Sequence, residues 1–242
     1  MEFTYDAYEN MIESLKSFGY KFNSYNVDDN CGRFVILRHD VDFDLDKAVE
    51  LAKLENKLGV NSTYFVLLST NFYNIFSKSS VEKINKIRLL GHEIGLHFDE
   101  QRYEINSVTD IEGFVLYEAK ILGDLLGERI KSVSMHRPTK LTLDNNVEIN
   151  GLVNSYSNFF FKQMKYVSDS RMHWRENIME IITSNKYSMI HILTHPFWYS
   201  NEKESIEFKL KSFFKNSALQ KYNYMNENFR NLQEFLLKED LI

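Results

Sequence analysis

Two carboxylates separated by one residue, Asp40 and Asp42, follow a short apolar run at 34–37. In an extended chain, residues two apart point to the same side, so both side chains can enter one space. Two carboxylates at so short a distance repel each other unless a cation or a shared proton lies between them. A divalent metal would bind one carboxylate and leave the other free as a base. A surface turn or a helix N-cap is the alternative interpretation, because Asp is favoured in both.

Histidines stand at the ends of three further apolar segments, two of them accompanied by charged residues. The residues concerned are His97 with Asp99 and Glu100, His136 with Arg137, and His195. A single histidine after a strand is usually structural. In α/β proteins, however, the ends of parallel strands meet at one edge of the sheet, where chemistry collects. Four such ends in one chain therefore favour a shared site over coincidence.

The segments that position these residues alternate between strand-like and helical patterns. Strands are predicted from short apolar runs at 34–37, 63–68, 92–97, 132–135, 158–165 and 188–194. Helices are predicted from helical spacing of apolar residues near the N-terminus, at 45–58, 81–90 and 111–126, and over most of 202–237. Alternation of this kind is typical of βαβ units, so we expect an α/β fold with a parallel sheet or barrel.

The composition is that of a folded, mildly acidic protein. Hydrophobic residues make up 43% of the chain and aromatic residues 14%, which is enough for a sizeable core. A net charge of -5 without a block of like charge gives no general attraction to nucleic acid or anionic membranes, so we expect no nucleic-acid partner. The single cysteine, Cys31, excludes an intrachain disulfide.

The organisation of the chain points to one domain. No stretch reaches the roughly 18 apolar residues that a membrane span needs, and residues 1–6 lack the basic start and apolar run of a signal peptide. We therefore expect a cytoplasmic protein without a membrane span. In the absence of a repeat or a flexible linker, residues 1–242 are predicted to form one domain, with additional helices at about 1–20 and 201–242. The oligomeric state is left open.

Taken in order, the motifs resemble those of the polysaccharide deacetylases, the NodB-homology proteins of carbohydrate esterase family 4. The similar stretches are Asp40-x-Asp42, Gly91-His92-Glu93-Ile94-Gly95-Leu96-His97, Arg137-Pro138, Asp169 with Trp174, and Leu193-Thr194-His195. Each motif alone is weakly specific, but together they follow the family's order over 34–196. The resemblance implies a distorted (β/α) barrel that hydrolyses acetyl groups on sugars with one divalent metal ion, often zinc.

The resemblance also implies catalytic roles. Asp40 would be the general base that activates water, with Arg137 holding its carboxylate through a fork of donors. His195 would be the general acid that protonates the leaving amine, and Asp169 would orient it. Asp42 would bind the metal, although the extra residue between the two aspartates leaves an exchange of their roles open.

One departure concerns the metal site. His97 matches the first metal histidine of the family, but Gln101 stands where the second is expected. Glutamine is a poor ligand for a transition metal. The third ligand is then Asp99, Glu100, His92 or His136, or the metal is weak or absent; we favour Asp99, two residues after His97. One histidine and two carboxylates would make a harder site, open to iron, cobalt, nickel or manganese beside zinc.

The substrate is predicted from the resemblance and from the expected location. A His-Asp-Val-Asp first motif resembles a subgroup linked to O-antigen and surface polysaccharide biosynthesis, which implies an acetamido sugar or oligosaccharide precursor as partner. His136 is a candidate for binding metal or substrate, and Trp198 and Tyr199 for stacking on a sugar ring. The run 159–161 is interpreted as a strand rather than a sugar platform. A non-catalytic sugar-binding descendant and a hydrolase of other linear or cyclic amides are the alternatives.

Overall fold

The computed structural model describes residues 1–26 and 32–241, so Cys31 lies outside the described residues. Contacts divide the chain into two compact units, Met1–Asn201 and Glu202–Ile242. The first unit contains every named strand and all the candidate site residues. None of the helices in the described ranges combines the length and apolar character that crossing a bilayer requires. The division into one catalytic domain with terminal helices stays a prediction.

Strands and helices alternate through the first unit. The strands are β1 (Lys21–Asn23), β2 (Phe34–Val41), β3 (Thr63–Leu67), β4 (Glu93–Phe98), β5 (Ser132–Met135), β6 (Val153–Asn154), β7 (Lys165–Ser168) and β8 (Met189–Thr194). The helices are α1 (Tyr5–Ser17), α2 (Leu45–Lys57), α3 (Lys78–Leu89), α4 (Val108–Leu126), α5 (Lys140–Asp144) and α6 (Ile178–Thr183), and α7 (Ile206–Asn228) lies in the second unit.

The local sequence explains where the main helices begin and end. Ser107 and Asp110 form a capping box at the start of α4, and Gly127 ends that helix in the left-handed conformation at φ 68°. Asp44 caps α2 by accepting hydrogen bonds from the backbone N–H groups of Asp46 and Lys47. The cap of α2 therefore lies directly after the Asp40–Asp42 segment.

All the strands pair in parallel in a single sheet of order β6-β5-β4-β3-β2-β8-β7, with β1 also paired to β2. The sheet curls into an incomplete barrel with flanking helices, which confirms the predicted fold class. Within the described ranges, β6 and β7 form the two ends of this order and do not pair with each other. The strand predicted at 158–165 is wrong: Phe159–Gln163 forms a π-helical turn, and β7 begins after it.

The two faces of the sheet have different contents. One face packs on the helices through a core that includes Val41, Tyr64 and Leu96. The other carries a smaller apolar cluster that includes Phe34, Ile36 and Phe65. Because side chains alternate along a strand, Arg38, Asp40 and Asp42 share this second, inner face, while His39 points outward to the helices.

The outward-pointing His39 enters a fully buried polar network centred on Glu55 of α2. The Glu55 carboxylate accepts hydrogen bonds from the hydroxyls of Tyr8 (2.6 Å), Ser62 (2.7 Å) and Tyr64 (2.8 Å). Its Oε1 also lies 2.9 Å from His39 Nε2, and His39 Nδ1 lies 2.7 Å from Thr194 Oγ1. These contacts join α1, α2, β2, β3 and β8 behind the candidate site.

Candidate active site

The carboxyl ends of β2, β4 and β5 bring three predicted residues together. Asp42 Oδ1 lies 3.2 Å from His97 Nε2 and 3.2 Å from His136 Nδ1, and the two histidine nitrogens are 3.2 Å apart. Asp42 follows β2, His97 is in β4, and His136 follows β5, so parallel strand ends converge as expected. One ligand atom from each residue lies within 4.8 Å of the other two.

This cluster (Asp42, His97 and His136) has the chemistry of a cation site. Asp42 Oδ1 is buried and, despite the short distances, has no hydrogen-bond partner of acceptable geometry. His97 Nδ1 is placed to donate to the backbone carbonyl of Ser134 (3.2 Å), which leaves Nε2 with a lone pair toward Asp42. One carboxylate and two imidazoles are a donor set that fits zinc or a similar transition metal.

Beside the cluster, Asp40 is held by Arg38 of its own strand. The Arg38 guanidinium donates to both carboxylate oxygens, at 2.9 Å from Nε and 2.8 Å from Nη2, and is fully buried. Burial alone would raise the pKa of Asp40, but Arg38 and the histidines outweigh burial and lower that pKa to about 2. Asp40 Oδ2 also lies 3.6 Å from His97 Nε2. An ionised, oriented carboxylate therefore adjoins the cation site.

On the other side of the site, β7 and β8 supply the pair of Asp169 and His195. His195 Nδ1 donates to Asp169 at 2.6 Å, and its backbone N–H donates to the same carboxylate at 3.1 Å. His195 Nε2 is thereby directed to the site, 3.8 Å from Asp42 Oδ2. Burial lowers the pKa of His195, but the charge and hydrogen bond of Asp169 outweigh it and raise that pKa to about 9. The ring is therefore a proton donor at neutral pH.

The structure changes the predicted contacts of Asp99 and Arg137. Arg137 binds the carboxylate of Asp99, with Nε at 3.2 Å, and Asp99 also accepts from the backbone N–H of Gln101. Asp99 thus stabilises the turn after β4 and is not in the cation cluster, where His136 takes the place expected for it. The contact predicted between Arg137 and Asp40 is replaced by the contact from Arg38. The sequence reasoning missed Arg38.

The other candidates for the third ligand have structural contacts. Glu100 is buried and accepts hydrogen bonds from Thr139 and Thr142 at the start of α5. His92 packs behind the sheet, 3.6 Å from Glu55. Gln101 is exposed. Among the alternatives considered from the sequence, His136 is the one that the fold brings to Asp42 and His97.

Both aromatic residues expected at the mouth of the site are buried. Tyr199 is fully buried, packs edge-on against Tyr8, and donates to Asp169 at 3.2 Å. Trp198 is 7% exposed and contacts Phe197 and Phe43. The prediction that Tyr199 stacks on a sugar is therefore wrong, because its ring lies in the core and supports Asp169. Trp198 lies in an aromatic cluster with too little free surface for a stacking platform.

No family model matches this sequence, and no curated protein matches it significantly. Solved structures are similar in fold. A deacetylase of Streptococcus pyogenes in complex with acetate is 12% identical over 78% of this chain and 80% of that chain, with a TM-score of 0.43. A family 4 carbohydrate esterase from Bacillus anthracis is 13% identical over 83% of this chain and 82% of that chain, with a TM-score of 0.44.

A third similar structure is a mutant of a CE4 family pseudoenzyme with restored enzymatic activity. It is 12% identical over 76% of this chain, with a TM-score of 0.44, and this chain spans 65% of its length. Likenesses at this level concern the fold alone. The chemistry of the site must be judged from its own residues.

The Asp169–His195 pair makes a prediction that needs no substrate. We expect the His195 ring to titrate near pH 9, and Asp169→Asn to lower the pKa of His195, because the variant removes the charge of Asp169 and leaves burial opposed only by the charges of Asp42 and Asp40. A pH titration of the histidine ring signals by NMR measures both values, with His195→Gln to assign the resonance. A pKa that stays near 9 in Asp169→Asn would show that other charges control this ring.

Proposed function

We propose that this protein is a metal-dependent hydrolase of the polysaccharide-deacetylase type, which removes the acyl group of an acetamido sugar. The observation that carries the proposal is the convergence of three units at one edge of the sheet. These three groups of residues are the cation cluster, the Arg38–Asp40 pair and the Asp169–His195 pair. Together they offer a metal site, an ionised carboxylate and a protonated imidazole around one space, as hydrolysis of an amide requires.

The metal would be held by Asp42, His97 and His136. Zinc is the first choice for this donor set, with iron, cobalt, nickel and manganese as alternatives. A divalent ion there would supply Lewis-acid polarisation of the acyl carbonyl and lower the pKa of bound water. The hypothesis of a non-catalytic descendant rests on the exposed Gln101, which stands where the family has its second metal histidine. His136 weakens this hypothesis, because it offers a second histidine from a different strand.

The Arg38–Asp40 pair and the Asp169–His195 pair carry out the proton transfers. Asp40 accepts a proton from the attacking water through Oδ2, which has a second lone pair beside the one that Arg38 occupies, whereas Oδ1 also accepts a hydrogen bond from Ser134 Oγ at 3.4 Å. Water oxygen bonds to the acyl carbon, and the carbon–nitrogen bond then breaks. His195 gives its proton to the leaving nitrogen, while Asp169 keeps the ring oriented and stabilises its charge. The products are a carboxylate and a free amino sugar.

The finer substrate assignment rests on the first motif. Arg38-His39-Asp40-Val41-Asp42 contains the His-Asp-Val-Asp stretch that resembles the O-antigen and surface polysaccharide subgroup. We extend the proposal to an acetamido sugar precursor of such a polysaccharide. Assay of acetate release from a panel of acetamido sugars, against simple linear and cyclic amides, separates this substrate class from the alternative amide hydrolases.

The metal site is tested by comparing two variants of neighbouring residues. We expect purified protein to bind about one equivalent of zinc or cobalt, and His136→Ala to weaken binding by about 100-fold or more, because it removes one of three protein ligands. Asp99→Asn keeps the shape of a residue outside the cluster and should bind metal as tightly as the unmodified protein. Elemental analysis and competition with a chelating dye give the stoichiometry and affinity.

The result shows whether His136 or Asp99 is the third metal ligand, or whether the protein binds no metal. Loss of metal in Asp99→Asn, with retention in His136→Ala, would restore Asp99 as third ligand. Absence of metal from the unmodified protein, even after incubation with zinc, cobalt, nickel and manganese, would overturn the proposed function.

A further inference from the structure

The large hydrophobic side chains that remain exposed are concentrated in the second unit. Among the described residues, nine of the fourteen such side chains lie in Glu202–Ile242, although the first unit is by far the longer. The hydrophobic residues that this second unit buries are Tyr222 and Leu232. So small a unit, with so little apolar surface buried, usually needs further support, and oligomerisation is a common source of it.

Five of these exposed side chains form a stripe along one side of α7. An α-helix turns about 100° for each residue, so the five positions fall within about 100° of one another around the helix axis. Each of the five is 39–65% exposed. We call them the apolar stripe: Ile206, Leu210, Phe214, Tyr224 and Met225. A surface helix normally packs such a stripe against another element, so the stripe is a candidate docking surface.

The order of residues along α7 fits a second copy of the same helix. Ser217 and Ala218 occupy the gap in the middle of the apolar stripe, and their small side chains let another helix approach closely. Leu210 lies seven residues before Ser217, and Met225 lies seven residues after Ala218. If two copies pack antiparallel about a twofold axis at this point, Leu210 of each copy therefore lies opposite Met225 of the other.

The same axis gives partners to the other residues of the apolar stripe. Phe214 lies three residues before Ser217 and Lys221 three residues after Ala218, so the Lys221 ammonium of one copy meets the Phe214 ring of the other. Ile206 is placed opposite Phe229, which follows the helix end and is also exposed. A parallel arrangement would instead place Lys221 against Lys221. The antiparallel arrangement is therefore favoured by charge.

The available area suits a dimer. Side chains that are about half exposed, at roughly 200 Å² each, give about 600 Å² of apolar surface per copy when Phe229 is included. The residues that border them, with Lys221 among them, bring the total near the roughly 800 Å² per partner of a stable interface. We propose that α7 is a dimerisation surface and that its occupant is α7 of a second copy, packed antiparallel.

The first test is the oligomeric state of the full chain. Sedimentation velocity at about 50 µM should show a dimer that dissociates on dilution. Phe214→Glu should weaken the dimer by about 100-fold or more, because a twofold axis brings the charge into the apolar interface twice. Phe208→Glu is the matched control: Phe208 is 54% exposed on the same helix, but it lies about 100° or more from every residue of the apolar stripe. This variant should remain a dimer.

The orientation is tested by cross-linking in a Cys31→Ser background. Ala218→Cys lies at the proposed axis and should cross-link between copies with a short bismaleimide. Asn228→Cys should not, because antiparallel packing separates the two introduced thiols by about 30 Å. Cross-linking of both variants would indicate a parallel pair and overturn the proposed arrangement.

Three results would overturn the dimer surface itself. The first is an unmodified protein that stays monomeric at about 50 µM. The second is a monomer that binds vesicles of phosphatidylcholine and phosphatidylglycerol, with binding lost in Phe214→Glu, because a lipid surface would then be the occupant of the apolar stripe. The third is a dimer that persists in both Phe214→Glu and Leu210→Glu. Circular dichroism checks the fold of each variant, and Leu210→Ser tests the same surface should the glutamate variants unfold.

Discussion

Asp40→Asn is expected to lower the rate of acetate release by on the order of 10²- to 10⁴-fold, the usual contribution of a general base. The amide keeps the shape of the side chain but cannot accept the proton of the attacking water. Metal binding should persist, because Asp42, His97 and His136 are untouched. The measurement is kcat on an acetamido sugar together with metal content of the same preparation.

The variant also removes the counter-charge of a fully buried guanidinium, so its stability must be measured beside its activity. Asp44→Asn is the matched control, since it makes the same change four residues on, at a helix cap where Asn serves as well as Asp. It should keep both activity and metal. A folded Asp40→Asn protein that retains metal and full kcat would remove Asp40 from the role of base.

The sequence pattern predicted the longer strands and helices in their order, because buried parallel strands are continuous apolar runs and most helices carry cap signals. It did not predict the short elements β1, β6, α5 and α6. It failed at 158–165, where three consecutive phenylalanines have the local signature of a strand. There the chain must cross from one end of the sheet order to the other, and a π-helical turn accomplishes this. The need for this crossing arises from the tertiary structure, so the periodicity of the local sequence does not indicate it.

The sequence predicted which strand ends meet at the site, but it predicted less well which side chains contact each other there. Asp42, His97 and His195 were placed correctly near one another, but the partners of Asp40 and Asp99 were not. A signal for Arg38 existed: a charged residue within an apolar strand, two positions before Asp40, must share its face. The choice between Asp99 and His136 had no such signal, because it depends on how two loops turn after separate strands.

Removal of the Glu55 carboxylate is expected to have the largest effect on stability. Glu55→Leu keeps the approximate volume but leaves His39 and the hydroxyls of Tyr8, Ser62 and Tyr64 without their acceptor. Leaving buried hydrogen-bond donors without an acceptor in this way costs about 1–3 kcal/mol for each group. We expect a loss of that order in the free energy of unfolding, measured by urea titration at neutral pH. Glu50→Gln, on the exposed side of the same helix, should change it little.

The same carboxylate should govern acid stability. Burial raises the pKa of Glu55, but His39, His92 and Ser62 outweigh burial and lower it from an ordinary value of 4.5 to about 2. A carboxyl whose pKa is depressed by folding stabilises the protein fully above the unfolded pKa, and this stabilisation is lost as pH falls from about 4.5 toward 2. Glu55→Gln, which cannot titrate, should therefore flatten this part of the pH profile.

Glu55 reaches the active site through a short chain of contacts. His39 bonds to Thr194, its direct neighbour in the pairing of β2 with β8, and these residues precede Asp40 and His195 respectively. Loosening the network should therefore disturb the proposed base and acid together. If Glu55→Leu were as stable as the unmodified protein, the gain in apolar packing would offset the lost polar contacts. In that case, unchanged kcat would show that the network does not position Asp40 and His195.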